Sequence, residues 1–228
     1  MVKALIFDVF GTCVDWRNSV ARDVSRVFPN IDAFAFADAW RAEYVPSMAP
    51  IRAGKREYTA LDQLHLENLL RIMPRFSVSH QNPEQLAKFW ERLDPWEDVL
   101  DGLNRLKSKV ILAPCSNGSI GLMEALTDYA DLPWDSIVGA EIARNYKPHP
   151  SVYTKSVEKL GLQPSDVMMV AAHNDDLSAA RDVGLQTAFV PRPTEYGVGQ
   201  ANDLRASEDW DIIASDFRDL ADQVIGQL

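Results

Sequence analysis

The strongest constraint on the fold lies in the first eleven residues. "VKALIFDVF" is an apolar, partly β-branched run closed by Gly11, and it reads as a strand buried on both faces. Such a strand cannot stand alone, because its backbone donors and acceptors need partners. Those partners come much later. After Pro95 the chain alternates: "DVLDGLNRLK" is helical and "KVILAPCS" a strand, "GLMEALTDYA" helical and "SIVGAE" a short strand, "SVYTKSVEKLG" a helix stopped by Gly161. "DVMMVAA" is then a strand, "DLSAARDVG" a helix and "QTAFV" a strand. This alternation implies right-handed βαβ units, hence an α/β fold with a Rossmann-like parallel sheet and helices on both faces.

Between these parts the texture is different. From about Trp16 to Leu93, helical patterns follow one another with no convincing strand. "AFADAWRAEYV" is one, with Pro46 as its expected stop. "YTALDQLHLENLLRIM" is another, with Leu66, Leu69, Leu70 and Met73 at helical spacing. "NPEQLAKFWERL" is a third, with Asn82 expected as N-cap and Pro83 at the first helical position. We therefore expect a core domain of residues 1–15 and 95–228, with residues 16–94 inserted as a helical cap domain. An insertion after the first strand would sit over the carboxyl ends of the strands, where open α/β sheets place ligands.

The formal net charge of −10 argues against nucleic acid as a partner, since phosphate binding needs a basic surface. If the substrate is an anion, the global field opposes its approach, and local Arg and Lys must dominate within a Debye length of about 8 Å. Cys13 and Cys115 are the only cysteines, too few for a disulfide framework, so the expected compartment is a reducing cytoplasm. No apolar stretch approaches the roughly 20 residues of a membrane helix, and no membrane role is expected.

Four polar clusters fall where strands should end: Asp8 to Thr12, Ser116 with Asn117, Lys147, and His173 to Asp176. Each has a purely structural reading. Asp8 and Thr12 could form a turn around Gly11, Ser116 and Asn117 could cap the next helix, and so could Asn174 with Asp175 and Asp176 in its first turn. "KPHP" could be an exposed, proline-stiffened loop. Yet sequence-distant strands deliver all four clusters to one sheet edge. Asp8 stands out, because a carboxylate at the end of a buried strand is costly unless paired. Near Lys147 and backbone N–H groups it would stay ionised and could act as a nucleophile.

"FDVFGTCVDW", "PCSNGS", "NYKPHPSVY" and "HNDDLSAAR" resemble the four ordered motifs of the haloacid dehalogenase superfamily. The resemblance spans nearly the whole chain and extends to the L-2-haloacid dehalogenases, which carry an aromatic two residues after the nucleophile, then Gly-Thr, and a Trp-Arg pair in the cap. Here these are Phe10, Gly11, Thr12, Trp40 and Arg41. Superfamily phosphatases carry a second acid where this chain has Phe10. That acid handles a leaving-group proton and its backbone helps to hold Mg²⁺, as crowded phosphoryl oxygens require. Halide leaves carbon as a weakly basic anion and needs no such acid.

The resemblance implies that Asp8 attacks the α-carbon of a short, anionic 2-haloalkanoate with inversion, and that water then opens the aspartyl ester to give a 2-hydroxy acid, with no cofactor or metal. It implies that Lys147 holds Asp8, Arg41 receives the halide, and Ser116 and Asn117, with Thr12, bind the substrate carboxylate. Phe10 and Tyr153 would touch the site, and Asp176 would orient Lys147 or the hydrolytic water. A homodimer is also implied. The family pattern "SSN" is here "AAHN", so His173 stands in place of an Asn and is read as a general base for ester hydrolysis. "AEYVPSM" in the cap also diverges, and Arg52 or Arg56 could serve in place of Arg41. Two alternatives remain open at this level: a Mg²⁺-dependent phosphatase or phosphonatase using Asp8, Asp175 and Asp176, and a non-catalytic superfamily member.

Overall fold

The computed structural model describes residues 1–228. The chain opens with β1 (Ala4–Phe7), turns through Gly11 and forms the short β2 (Val14–Asp15). Five helices follow: α1 (Trp16–Val27), α2 (Ala33–Ala42), α3 (Tyr44–Arg52), α4 (Leu61–Ile72) and α5 (Pro83–Ala87). β3 (Asp94–Pro95) then brings the chain back and pairs antiparallel with β2, Val14 against Pro95 and Asp15 against Asp94. The helical segment thus leaves and rejoins the rest of the chain through a two-stranded ribbon. Trp96 ties that ribbon to the loop after β1, its backbone N–H donating to the Cys13 carbonyl at 3.1 Å and its indole N–H to the Gly11 carbonyl at 2.8 Å.

The remainder alternates as expected: α6 (Val99–Leu106), β4 (Ile111–Ser116), α7 (Ile120–Ala130), β5 (Val138–Gly139), α8 (Ala140–Ala143), α9 (Pro150–Leu160), β6 (Val167–Ala171), α10 (Asn174–Asp182), β7 (Gln186–Phe189), β8 (Ile212–Ile213) and α11 (Phe217–Gln227). Six strands form one parallel sheet in the order β5-β4-β1-β6-β7-β8. β1 lies inside it, hydrogen-bonded to β4 on one side and β6 on the other. Strand pleating divides the apolar side chains between the two faces. Leu5, Phe7, Leu112, Met168 and Val170 enter one core cluster, while Ala4, Ile6, Ala113, Met169 and Ala171 enter the other. The first cluster continues into the helical segment through Trp16, Phe36, Trp40, Leu64 and Trp90. No helix is long and apolar enough to cross a membrane.

Three local expectations need correction. Pro46 does not end α2. That helix stops at Ala42, and Pro46 lies in the first turn of α3, where no intrahelical N–H is required. Asn82 precedes α5 but its side chain makes no capping hydrogen bond, and α5 gives way at Lys88 to a 3₁₀ turn. The helix after β4 is capped by Ser119, whose side chain accepts from Leu122 N–H, and not by Ser116 or Asn117. Gly161 does terminate α9, with φ of 69°.

A buried ion pair pins the loops behind the site. Arg192 donates to Asp98 with both Nη atoms, at 2.8 and 3.0 Å, and its Nε donates to the Thr12 carbonyl at 2.9 Å. Asp98 also accepts from Phe217 N–H at 2.7 Å. Removing one partner strands a buried charge, so we expect Asp98→Ala to lower the unfolding free energy by about 3–5 kcal/mol. Urea denaturation with an unchanged m-value tests this; a change under about 1 kcal/mol would show that the pair carries little.

Candidate active site

Asp8 follows β1 directly, and its backbone N–H still donates to the Val170 carbonyl at 2.9 Å. The sheet hydrogen bond aims its side chain past the strand end into a cavity of about 390 Å³ between the sheet edge and the helical segment. Lys147 Nζ donates to Oδ1 at 2.9 Å. Thr12 Oγ1 donates to Oδ2 at 2.7 Å and accepts from Ala172 N–H at 2.9 Å. Because the Thr12 oxygen already accepts from an amide, its proton points to Asp8, which must present a lone pair. His173 Nδ1 lies 3.2 Å from Oδ2. Burial alone would raise the Asp8 pKa, but the Lys147 charge and the His173 contact override it and hold the carboxyl well below the usual carboxylate range.

Lys147 is 6% exposed and stands between two carboxylates. It donates to Asp8 and, at 2.5 Å, to Asp176 Oδ2. Burial disfavours the ammonium, yet Asp176 and Asp8 together raise its pKa above the ordinary lysine value, so it stays cationic. The other Asp176 oxygen accepts from Tyr153 OH at 2.5 Å. Both Asp176 oxygens are therefore committed to protein donors. Asn117 Oδ1 accepts from Lys147 N–H at 2.8 Å and fixes the lysine's backbone relative to β4.

His173 bridges two acids. Its Nδ1 faces Asp8, and its Nε2 lies 2.8 Å from Glu195 Oε2. Burial works against the charged ring, but Glu195 first and Asp8 second raise its pKa well above the ordinary histidine value. With Asp8 ionised, the ring is an imidazolium with both nitrogens protonated. Between these two acids the protonated ring is favoured, so a role for His173 as general base calls for a state in which one of the two is no longer charged.

Arg41 projects from α2 into the cavity and forms no ion pair with a carboxylate. Its guanidinium lies 4.0 Å from the Tyr44 ring centroid and 5.6 Å from that of Trp16, and its buried Nε has no hydrogen-bond partner. Arg52 also lines the cavity and donates to the Lys147 carbonyl at 3.1 Å. Arg56 does not reach it and pairs with Glu67 at 2.8 and 3.0 Å. Phe10 forms an apolar wall, backed edge-on by Trp90 and His65.

Asp8, Phe10, Arg41 and Asn117 line the cavity, as do Lys147, His173 and Asp176. Thr12, Ser116 and Tyr153 do not, and their reading as substrate contacts needs correction. Thr12 is fully buried behind Asp8. Ser116 Oγ turns back to accept from Gly118 N–H at 3.0 Å. Tyr153 is fully buried behind Asp176, and burial followed by the Asp176 charge raises its pKa, so the phenol stays a donor. Sequence reasoning missed Glu195, Tyr44 and Met48. Glu195 stands in a "PRPTEYG" loop with no local pattern to mark it, and only its contact with His173 reveals it.

The site therefore presents a carboxylate kept ionised by a buried lysine, at the carboxyl edge of a parallel sheet and beneath a helical segment. Residues 2–184 match the haloacid dehalogenase-like hydrolase family, and the chain belongs to that family. It is similar to the solved L-2-haloacid dehalogenase PA0810, with 41% identity, 99% of this chain and 100% of that one covered, and a TM-score of 0.96. It is similar also to the solved defluorinating L-2-haloacid dehalogenase Rha0230, with 43% identity, 98% and 95% coverage and a TM-score of 0.94. Among curated proteins, (S)-2-haloacid dehalogenase 4A of Burkholderia cepacia is 27% identical over 93% of this chain and 95% of its own length.

Lys147→Met would leave Asp8 and Asp176 buried with no ammonium between them. We expect a loss of about 3–5 kcal/mol at neutral pH. Like charges raise carboxylate pKa values, so the folded variant gains stability by taking up a proton as the pH falls. The gap to wild type should therefore narrow from pH 7 toward pH 5. Denaturation across that range checks the sign, and a gap independent of pH would contradict it.

Proposed function

We propose that this chain hydrolyses short (S)-2-haloalkanoates to 2-hydroxy acids with inversion, through an ester on Asp8. The observation that carries the reading is an ionised Asp8 in one cavity with an Arg41 guanidinium that has no carboxylate partner, the same cavity being lined also by the apolar Phe10. A displaced halide needs a cation to receive it, and a guanidinium already neutralised by a carboxylate would serve poorly. At about 4 Å and an effective dielectric near 20, that attraction amounts to roughly 4 kcal/mol, close to a thousandfold in rate if it acts mainly in the transition state. Lys147 and Thr12 hold the nucleophile while its attacking oxygen approaches the α-carbon from behind the C–halogen bond.

The same cavity offers groups for the substrate's own charge. Asn117 and Arg52, which line it, supply polar contacts for the substrate carboxylate. The names of two solved proteins similar to this chain, both L-2-haloacid dehalogenases, agree with this substrate class. A Mg²⁺-dependent phosphatase is disfavoured by the donor set. Phe10 replaces the second acid, and both oxygens of Asp176 are committed to Lys147 and Tyr153. In the same reading residues 16–94 form the cap, residues 1–15 and 95–228 the core. Two buried free thiols, Cys13 and Cys115, fit a reducing cytoplasm, and the family resemblance supports a homodimer.

Halide release from chloro-, bromo- and fluoroacetate and from both enantiomers of 2-chloropropionate, with and without chelator, tests this reading. We expect activity on the (S) enantiomer that chelator leaves intact and Asp8→Asn abolishes. Phosphate-ester hydrolysis lost with chelator, without halide release, would overturn it. Arg41→Ala should lower kcat/KM by about 10²–10³, as loss of ~3–4 kcal/mol at the leaving group requires.

A further inference from the structure

Glu195 is a buried acid that the displacement chemistry does not use. It is 1% exposed, and it sits directly beneath the nucleophile loop. Gly11 has a φ of +94°, and a Cβ there would lie 2.1 Å from Glu195 Oε1. That oxygen accepts from Trp16 Nε1 at 3.0 Å, while Oε2 faces His173 Nε2 at 2.8 Å. No arginine or lysine pairs with it. The charged partner within hydrogen-bond reach is His173, whose other nitrogen faces the nucleophile. Asp8, His173 and Glu195 thus form a continuous carboxylate–imidazole–carboxylate line, fixed at its far end by Trp16.

Resting on the dehalogenase reading above, we propose that Glu195 is the positioning residue of a proton switch, in which alkylation of Asp8 converts His173 from a proton carrier into the base that hydrolyses the ester. The sequence of steps balances. In the free enzyme His173 carries a proton between two carboxylates. Asp8 then forms a bond to the α-carbon, the C–halogen electron pair leaves with the halide, and Asp8 becomes a neutral ester. One of the two anions that held the proton on His173 is gone, so the proton passes to solvent. Water next attacks the Asp8 carbonyl carbon and gives one proton to neutral His173. The ester C–O bond breaks, the second proton of that water passes to the departing alkoxide, the 2-hydroxy acid leaves, and the Asp8 carboxylate reforms beside a protonated His173. The net yield is hydroxy acid, halide and a proton, with the enzyme unchanged.

The geometry suits this order. Nδ1 is one hydrogen bond from Asp8 Oδ2, so a water over the ester carbonyl lies within reach of the same nitrogen. A carboxylate on the far nitrogen fixes the tautomer and stabilises the imidazolium that proton uptake creates. Of the other charged groups, Lys147, Arg41 and Arg52 share the cavity and oppose the imidazolium, whereas Asp175, Asp176 and Asp203 favour it. Tyr196 faces the same space as a neutral phenol, since burial raises its pKa. None of these changes charge during the cycle, so Asp8 alone sets the switch.

Rapid-mixing experiments on the full-length protein with chloroacetate, reading chloride, an indicator dye in weak buffer, and trapped ester by mass spectrometry, test the proposal. In Glu195→Gln, kcat should fall about a hundredfold and KM with it, because hydrolysis alone is slowed. Ester should accumulate, and a proton should emerge with the chloride burst, ahead of glycolate. In His173→Asn, ester should also accumulate, but the chloride should emerge without a proton. Equal slowing of chloride and glycolate with no trapped ester in a folded Glu195→Gln protein would overturn the proposal. So would a proton that emerges with chloride in His173→Asn, a variant that decides the question if Glu195→Gln does not fold. Absence of chloride release from wild type would instead overturn the dehalogenase reading itself.

Discussion

The hydrogen-bonded contact between Lys147 and Asp8 is the interaction on which the site depends. An ionised carboxylate at the end of a buried strand has lost its water, and the penalty is offset first by an ammonium equally removed from solvent, with the His173 contact beside it. That ammonium needs its own second acid, Asp176, and Asp176 needs Tyr153 to satisfy its remaining oxygen. The chain of dependence then runs outward into the fold. Tyr153 lies in α9, Asp176 in α10, and Lys147 is held at its backbone by Asn117 from the end of β4. The nucleophile is therefore positioned by elements from across the sheet, and its charge is a property of the assembled edge.

The helical segment completes this edge in two ways. It supplies Arg41, a cation with aromatic rings and no carboxylate around it, and it closes the space above Asp8 with Tyr44 and Met48. An unpaired guanidinium is a poor structural element and a good receptor for a small anion. Lys147 and Arg41 thereby differ in their partners: Lys147 is saturated by protein carboxylates, while Arg41 is left open. This division answers the problem posed by a net charge of −10, because attraction for an anionic substrate has to be local.

Much of the architecture was legible. The buried run before Asp8, the alternation after Pro95 and the helical texture between them correspond to β1, the parallel sheet and the helices α1 to α5. The four polar clusters do converge at the carboxyl edge of the sheet. Boundaries were less legible where two signals compete. Pro46 reads as a stop in isolation, yet it is acceptable in the first turn of α3, and the preceding residues had already ended α2. The direction of each polar side chain was not legible at all. Thr12, Ser116 and Tyr153 have residue types suited to a substrate carboxylate, but their hydroxyl groups are consumed by Asp8, Gly118 and Asp176.

By itself the sequence determined the order of strands and helices and the singular position of Asp8, since periodicity, glycine placement and the cost of a buried charge act on neighbouring residues. The absence of a second acid at Phe10 was equally local. Only the tertiary structure decided which groups face the cavity and which stand behind it, and in what protonation state. His173 reads as a base from its type, and its protonated form is favoured only because Asp8 and Glu195, 165 positions before it and 22 after it, close on its two nitrogens. Long-range electrostatics of that kind depends on distance in space, and nothing in the local pattern of the chain encodes it.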